Sequence, residues 1–393
     1  MLVEVHMLQN HAPSNLNRDD TGSPKEAIFG GYKRARISSQ CIKRSIRRSQ
    51  IFQDRLQGLV GLRTRGLPEL VRDRLLAAGF SAEMAEVGAS KASGFGTEEG
   101  REQRPNDSGY YRTAQTMFLS NADVEAVYEV IRAAAEQAKD PASLKKVPAK
   151  ELQRQAEDKG LRPIAIDIAL FGRMVTSEAF VDVEAATQFA HAISTHKVDH
   201  EFDYYTAVDD LERASDDQAA GGADMIGDVE FNSACYYKYF NVHVDGLIDN
   251  LTGRAFRRSI SSDDETAARD TAARAIESLI EAACRVTPTG KQNSFAAFQL
   301  PSLLWVEIRD DNLPVSYANA FSRPVDPKSK EGLEKASALA LKRECETLTN
   351  LYGLEARSRM LLTHHEGLEI LGVGSSPNLR SLLAQVQTEV RDG

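Results

Sequence analysis

A run of basic residues is the part of this sequence whose composition points most clearly to chemistry. Residues 30–48 contain seven Lys and Arg side chains and no acid, whereas the remaining 41 basic residues share the chain with all 57 acidic ones. The seven are Lys33, Arg34, Arg36, Lys43, Arg44, Arg47 and Arg48. Such a stripe suits a phosphate backbone, and serine hydroxyls and main-chain N–H groups at a helix start would add donors. The alternative is a solvated helix face, although such faces usually mix both signs of charge.

A polar connector downstream is a second candidate for anion binding. The segment Gly290-Lys291-Gln292-Asn293-Ser294 joins one cation to three side chains that form hydrogen bonds. It is not a P-loop, because the GxxxxGK[ST] pattern fails at its first Gly and at the residue after Lys. The alternative is an ordinary polar turn.

Other groupings of reactive residues do not favour catalysis or metal binding. His196 and His200 stand four apart among several acids, but no Glu follows the first His as in HExxH, and the local pattern is not helical. The aromatic stretch 236–240 could stack bases as RNA-binding sheets do, but their consensus is absent and strand aromatics more often lie in the core. No G-x-S-x-G elbow appears. We therefore predict no catalytic residue, no metal site and no cofactor.

Composition limits the class of protein. The 393 residues carry a net charge of −9, which argues against a chain that coats nucleic acid or anionic membrane with its whole surface. No apolar run approaches the roughly 18 residues of a membrane span, and the first residues do not resemble a signal peptide. Cys41, Cys235, Cys284 and Cys345 are far apart and form no CxxC. We expect reduced thiols, a cytoplasmic location and no membrane partner.

Hydrophobic periodicity predicts the elements that must position these residues. Strands are predicted at 1–9, 163–171, 231–244 and 302–309, and helices at 38–51, 181–194 and 263–284. Without the short helix at 181–194, the strong elements follow the order βαββαβ, the split-βαβ or ferredoxin-like arrangement of an α+β protein. Two insertions interrupt this order. One is helical, and the other, residues 199–230, holds eleven acids against the single basic residue Arg213 and predicts a protruding ribbon.

Several long blocks of the sequence resemble one family. The segment HAPSNLNRDDTGSPKEAIFGGYKRARISSQCIKRSIRRS closely resembles the N-terminus of CasC, also called the Cse4 family, the backbone subunit of type I-E CRISPR Cascade complexes. The resemblance continues in the family's order through IDIALFGRMVTS, AHAISTHKVDHEFDYYTAVDDL, KQNSFAAF and PVSYANAF. It reaches about residue 322, whereas residues 51–160 and the tail after residue 325 match only in general character.

The resemblance implies a modified RRM-like, ferredoxin-like palm with a helical finger insertion and a thumb ribbon. The predicted ranges are 1–50, 161–198 and 231–325 for the palm, 51–160 for the fingers, 199–230 for the thumb and 326–393 for a C-terminal helical segment. The resemblance also implies that copies of the chain polymerise along a CRISPR RNA, which pairs with a target DNA strand among other Cascade subunits. Cutting belongs to a separate nuclease, so no enzyme activity is expected.

Residue roles are carried over only where the family's motifs match. The residues predicted to bind the guide RNA are Lys33, Arg34, Arg36, Ser38, Ser39, Gln40, Lys43, Arg44, Arg47, Lys291 and Gln292. A hydrophobic wedge that displaces a guide nucleotide is expected at Met174 and Ile226, and the alternative is that both lie in the core. The competing prediction is a metal-dependent RNA-cleaving backbone subunit of the type III kind, with Asp209 and Asp210 among the acids of its thumb.

Overall fold

The computed structural model describes residues 1–158, 160, 162–207, 225–256 and 259–393. Its strands are β1 (Leu2–Ser14), β2 (Glu26–Phe29), β3 (Tyr32–Ile37), β4 (Leu62–Thr64), β5 (Met117–Leu119), β6 (Thr187–Phe189), β7 (Ala192–Ser194), β8 (Glu201–Ala207), β9 (Met225–His243), β10 (Leu303–Arg309) and β11 (Ser358–Thr363). Its α-helices are α1 (Ser39–Arg48), α2 (Gln50–Arg55), α3 (Leu67–Ala77), α4 (Ala82–Ser93), α5 (Asn121–Ala138), α6 (Pro141–Lys146), α7 (Ala149–Glu157), α8 (Ile166–Phe171), α9 (Val244–Thr252), α10 (Ser262–Arg285), α11 (Gln292–Phe295), α12 (Leu333–Tyr352) and α13 (Leu379–Asp392). The mixture confirms the predicted α+β class.

The chain divides into two compact units. The sheet unit comprises Met1–Phe52, Phe189–Asn241 and Ile276–Gly393, and the helical unit comprises Gln53–Gln188 and Val242–Ala275. Residues 161–188, which the sequence predicts as part of the palm, therefore group with the helical unit. The described arms of the ribbon and the C-terminal segment group with the sheet unit.

One sheet organises the sheet unit. Seven strands follow one another in the order β11-β10-β1-β9-β7-β3-β2, and β10 runs antiparallel to both β1 and β11. Strand β1 is buried on both faces along its first eight residues, so Glu4 and His6 are as inaccessible as Val3 and Val5. The alternation of β1 predicted a strand correctly, but it did not reveal that the polar face is also covered.

The strand predicted at 163–171 is wrong. Residues Ile166–Phe171 form helix α8, in which every residue except Phe171 is buried. Alternation indicates a strand only when the intervening positions face water. Here Asp167 is buried as well, and its carboxylate accepts a hydrogen bond from the Gly61 N–H at 2.7 Å. Asp167 produced the apolar–polar alternation typical of a half-exposed strand, although it is buried and bonded to the main chain.

The helix predicted at 181–194 is also wrong, because this segment contributes strands β6 and β7. Strand β7 lies between β9 and β3, with Ile193 opposite Tyr237 on one side and Arg36 on the other. Pairing on both edges overrides the helical propensity of the alanines in this segment. A short strand thus occupies the place in the sheet that the sequence assigned to residues 163–171.

The acidic ribbon begins as an antiparallel pair. Strand β8 pairs with the first part of β9, from Glu201↔Phe231 to Ala207↔Met225. The described parts of the predicted ribbon, Glu201–Ala207 and 225–231, are therefore paired strands. Asp209 and Asp210 lie outside the described residues.

Helices α3, α4, α5 and α7 enclose the core of the helical unit, around Leu75, Phe95, Val127 and Leu152. Helix α5 begins at a capping box in which the Ser120 hydroxyl accepts from the Asp123 N–H at 3.0 Å and the Asp123 carboxylate accepts from the Ser120 N–H at 2.8 Å. In the parts of the chain that the structure describes, no helix has the length and apolar character that crossing a bilayer demands.

Candidate nucleic-acid interface

Helix α1 carries much of the basic stripe. Ile42 and Ile46 are buried, which fixes the face that packs on the sheet unit. Gln40, Arg44 and Arg48 are exposed on the remaining faces, and Lys43 and Arg47 are half-buried. Helix α1 contains no acid, and its cations lie between Lys43 and Arg48.

An open cavity of 570 Å³ brings α1 together with the second candidate segment. Arg44, Ser45 and Cys41 line it from the helix, and Pro288–Gly290 line it from the connector. Gly290 permits this approach, because a Cβ there would lie 2.6 Å from the carbonyl oxygens of Asn15 and Leu16. Two segments that are about 245 residues apart in sequence therefore face one cavity.

Within the connector, Lys291 and Gln292 have different environments. Lys291 is exposed and adopts a left-handed conformation with φ of 51°. Gln292 is buried, its amide donates to the Pro288 carbonyl at 2.9 Å, and its side-chain oxygen accepts from the Ala297 N–H at 2.8 Å. Gln292 therefore holds the loop in shape, while Lys291 is the residue available to an anion.

The stripe is free of acids in sequence but not in space. A second open cavity of 720 Å³ is lined by Lys25, Lys33 and Arg36 together with five residues that sequence reasoning had not connected to them: Asp19, Asp20, Glu26, His200 and Glu230. Lys33 forms an ion pair with Glu26 at 3.2 Å, and Arg36 donates to the Glu26 carbonyl at 3.0 Å. Asp19 and Asp20 also line the cavity at α1, so acids from other segments lie beside the stripe at both cavities.

Arg34 was predicted to contact RNA, but its environment in the structure does not allow this contact. Its side chain is fully buried, and its guanidinium donates to the carbonyl oxygens of Ser194 at 3.1 Å and Phe321 at 2.6 Å. A side chain enclosed in this way does not reach a phosphate at the surface. Arg34 joins β3 to two other segments of the sheet unit and serves the fold.

The two serines at the start of α1 are also largely occupied by the fold. The Ser38 hydroxyl accepts from the Cys41 N–H at 3.3 Å, and the Ser38 N–H donates to Asn17 at 2.8 Å. The Ser39 N–H donates to the His191 ring at 3.3 Å. The helix start is therefore already capped, and Ser38 and Ser39 are buried.

His196 and His200, which are four residues apart, lie in different environments. Burial lowers the pKa of His196 to about 4. His200 sits between two carboxylates, with Nε2 at 2.7 Å from Glu26 and Nδ1 bonded to Glu230. Among the described residues, no group of three or more His, Cys, Asp or Glu side chains is arranged to hold a metal ion.

The aromatic residues of β9 are core residues. Tyr236, Tyr237, Tyr239 and Phe240 are all buried. The Tyr237 hydroxyl contacts His6 at 2.9 Å, and Phe240 stacks on Phe189 with ring centroids 4.6 Å apart. The base-stacking interpretation of this strand is therefore wrong, and the surface formed by α1 and the connector remains the candidate interface.

Comparison with known proteins assigns the family. The model of the CT1975-like protein family matches residues 3–384. The chain belongs to this family. Among solved structures, it is similar to a chain of a CRISPR RNA-guided surveillance complex, pre-nicking, with 26% identity, full coverage of both chains and a TM-score of 0.79. A chain of a CRISPR RNA-guided surveillance complex at 23% identity, covering 99% of this chain and all of that one with a TM-score of 0.70, shares the fold. None of the curated proteins matches.

Met174 of this CT1975-like protein is not a core residue. Its side chain is 92% exposed. The preceding Gly172 has φ of +78°, and Arg173 is anchored in the helical unit by an ion pair with Asp123 at 2.7 Å. The backbone is thus fixed on one side while the methionine projects. Ile226 lies in β9 opposite Thr206.

A buried charge cluster in the sheet unit escaped sequence reasoning entirely. We define it as Glu4, His6, Glu307 and Arg309 on β1 and β10. Arg309 pairs with Glu4 at 2.8 Å and with Glu307 at 3.1 Å, and the Tyr317 hydroxyl donates to Glu307 at 2.6 Å. All of these side chains are inaccessible to solvent. The only signal in the sequence was the placement of Glu4 and His6 in an otherwise apolar strand.

Proposed function

We propose that this CT1975-like protein binds a CRISPR RNA guide as a backbone subunit of a Cascade surveillance complex, of the type I-E kind, in the cytoplasm. The observation that carries the proposal is the acid-free surface of α1 facing the same open cavity as the connector before Lys291. The similarity at 26% identity to a chain of a CRISPR RNA-guided surveillance complex supports it. Single-stranded RNA is a strong polyanion, and exposed arginines and lysines bind its phosphates.

The sheet supports the proposal of an RRM-like palm. Helix α1 connects β1 to the region of β7, and α10 connects β9 to β10, while the four strands are neighbours in the order β10-β1-β9-β7. This is a βαββαβ arrangement, in which β7 replaces the strand expected at 163–171. Guide RNA would follow α1 and the connector, since the sheet aromatics are buried.

The proposed RNA contacts are narrower than the predicted set. We retain the residues whose side chains reach the surface of the stripe or the connector: Lys33, Arg36, Gln40, Lys43, Arg44, Arg47 and Lys291. Arg34 and Gln292 are assigned to the fold, and Ser38 and Ser39 to the start of α1. Met174 and Ile226 are proposed to displace guide nucleotides, while copies of the chain assemble along the guide for pairing with target DNA.

Salt-dependent RNA binding tests the proposal. In the full-length protein, Arg44→Ala with Lys291→Ala removes one cation from α1 and one from the connector. For a single strand, each phosphate that the protein no longer neutralises should reduce the slope of log K against log salt by about 0.7. We therefore expect a slope smaller by about 1.4 and weaker binding of a single-stranded RNA.

Lys328→Ala with Lys330→Ala is the matched control, because it removes two exposed cations from the same unit outside both cavities. An unchanged slope and affinity for the Arg44 and Lys291 variant, or an equal change in the control, would contradict the proposed interface.

The alternative function is metal-dependent cleavage of RNA. We propose that the chain has no such activity, and a cleavage assay on guide-paired RNA with magnesium or manganese decides between the two. Cleavage that is abolished by Asp209→Ala or Asp210→Ala would establish the enzyme instead.

A further inference from the structure

A third open cavity lies in the helical unit, and none of the proposed RNA-contact residues lines it. Its volume is 630 Å³, and it is formed between the end of β4 with the turn into α3 and the loop that precedes β5. The side chains that give it chemical character are Arg63, Arg65, Arg104, Arg112 and Tyr110. The lining contains no acidic residue, in contrast to the two cavities of the sheet unit, which both include Asp19 and Asp20.

The four arginines are not neutralised to the same degree. Arg112 pairs with Glu69 at 2.5 Å, and Arg65 donates through Nε to the Thr113 carbonyl at 2.8 Å. Arg63 and Arg104 are exposed, and neither has an ion pair or side-chain hydrogen bond with any residue in the described ranges. The cavity therefore carries positive charge that the fold itself does not use.

The backbone at the cavity is shaped to leave it open. Gly66, the N-cap of the eleven-residue helix α3, lines the cavity and provides no side-chain cap. A Cβ at Gly66 would lie 2.9 Å from an Arg112 Nη atom. The Arg112–Glu69 pair in turn orders one wall, because Glu69 belongs to α3 and Arg112 to the opposite loop.

We propose that this cavity, which we call the arginine pocket, binds phosphate groups of a nucleic-acid strand as a second site, separate from α1. Arginine suits this ligand, because its planar guanidinium donates two parallel hydrogen bonds to phosphate oxygens. Arg63 and Arg104 bind the phosphates, and Arg65 and Arg112 are held by Thr113 and Glu69 as the walls. This site extends the proposed function and does not depend on it.

The test compares Arg63→Ala with Arg104→Ala in the full-length protein against the wild type, with a single-stranded RNA, a single-stranded DNA and a duplex DNA as separate probes. For a single strand, removing two phosphate-binding cations reduces the salt slope by about 1.4. Between about 50 and about 200 mM salt, the wild type should therefore lose about sevenfold more affinity than the variant. The variant should melt at the wild-type temperature, because both side chains are exposed.

Arg132→Ala with Arg154→Ala is the control, since it removes the same charge from the helical unit at positions outside the arginine pocket. If the salt slope of the variant is reduced only for RNA, the pocket binds the guide. If the slope is reduced only for a DNA probe, the pocket binds the target. A reduced slope for all three probes shows a general phosphate site. Wild-type slopes for all three probes, or an equal reduction in the control, overturn the proposal. The Arg44 and Lys291 variant is measured in parallel, so that failure of the α1 interface and failure of the arginine pocket are seen independently.

Discussion

The sheet unit contains two groups of charged side chains that are built in opposite ways. The buried charge cluster of Glu4, His6, Glu307 and Arg309 is sealed between β1 and β10, and its members contact one another or nearby tyrosines. The cations of α1 lie at the surface, and Arg44 faces an open cavity. An isolated charge costs several kcal/mol in a protein interior and very little in water. The first group therefore must be paired for the chain to fold, whereas an exposed cation such as Arg44 needs no buried partner.

Arg34 shows that position in the sequence does not decide between these two roles. It belongs to the acid-free run of residues 30–48, yet main-chain carbonyls surround its guanidinium. Arg36, two residues further along β3, is only half-buried and lines a cavity. Physical role thus follows burial and partners, and the comparison between buried and exposed charge can be tested residue by residue.

The largest effect is expected from breaking the buried charge cluster. Glu307→Ala removes the acceptor shared by Arg309, Tyr317 and Arg359 and leaves Arg309 with Glu4 and the Tyr317 hydroxyl. We expect a loss of about 3–5 kcal/mol in the free energy of unfolding, measured by urea denaturation. Asp310→Ala, which removes the exposed partner of Arg357, is the control and should change stability by less than about 1 kcal/mol. Equal effects of the two substitutions would show that burial does not distinguish these charges.

A somewhat smaller effect is expected at Arg34. Arg34→Ala leaves the carbonyl groups of Ser194 and Phe321 without their donor in a buried site, which should cost about 2–3 kcal/mol. Arg44→Ala, at an exposed position of α1, should change stability by less than about 0.5 kcal/mol. The stability of both variants is measured by thermal melting. If Arg34→Ala melts with the wild type and weakens RNA binding instead, the assignment of Arg34 to the fold is wrong.

The sequence predicted those parts of the fold in which periodicity and burial agree. Helix α1 has Ser38 as its N-cap and buried Ile42 and Ile46, as the four-residue spacing indicated. Residues 163–171 were misread because Asp167 is buried with a main-chain donor, which no alternation pattern can show. Strand β7 was missed because only its neighbours β3 and β9 make it extended.

The sequence indicated where the candidate site lies, but it did not show which distant residues share the same surface. The stripe was visible because its cations lie close together in the chain, whereas Glu230 reaches the same surface from a distant strand. The arginine pocket had no such signal. Arg63 and Arg65 precede Arg104 and Arg112 by about 40 residues, and acids separate them in the sequence. Convergence of separate segments is a property of the fold, so composition in a local window does not detect it.

Acid should weaken the buried cluster through His6. Burial lowers the pKa of His6 to about 4, whereas an unfolded histidine has a pKa of about 6.5. Between these values the unfolded chain binds more protons, so stability falls as the pH decreases from about 6.5 towards about 4. His6 alone should account for about 2 kcal/mol of the loss between about pH 7 and about pH 5. His6→Gln should reduce the pH dependence of unfolding by that amount. Parallel pH profiles for His6→Gln and the wild type would contradict a buried neutral His6.

The smallest effect on stability is expected at Met174, which extends the comparison from charge to apolar surface. A side chain that is 92% exposed contributes almost nothing to packing, so Met174→Ala should change the free energy of unfolding by less than about 0.5 kcal/mol. Met84→Ala, in the core of the same unit, should cost about 2–5 kcal/mol.

The exposed methionine instead has an apolar surface available to a base. Unstacking a base costs a few kcal/mol, which an inserted apolar side chain can offset. Met174→Ala should therefore change the periodic chemical reactivity of guide bases in the assembled complex, and Ile226→Ala should change it at the same positions. A variant that melts several degrees below the wild type and leaves the reactivity pattern intact would place Met174 with the packing residues. Normal stability together with an altered pattern would place it among the exposed side chains that contact the nucleic acid and do not stabilise the fold.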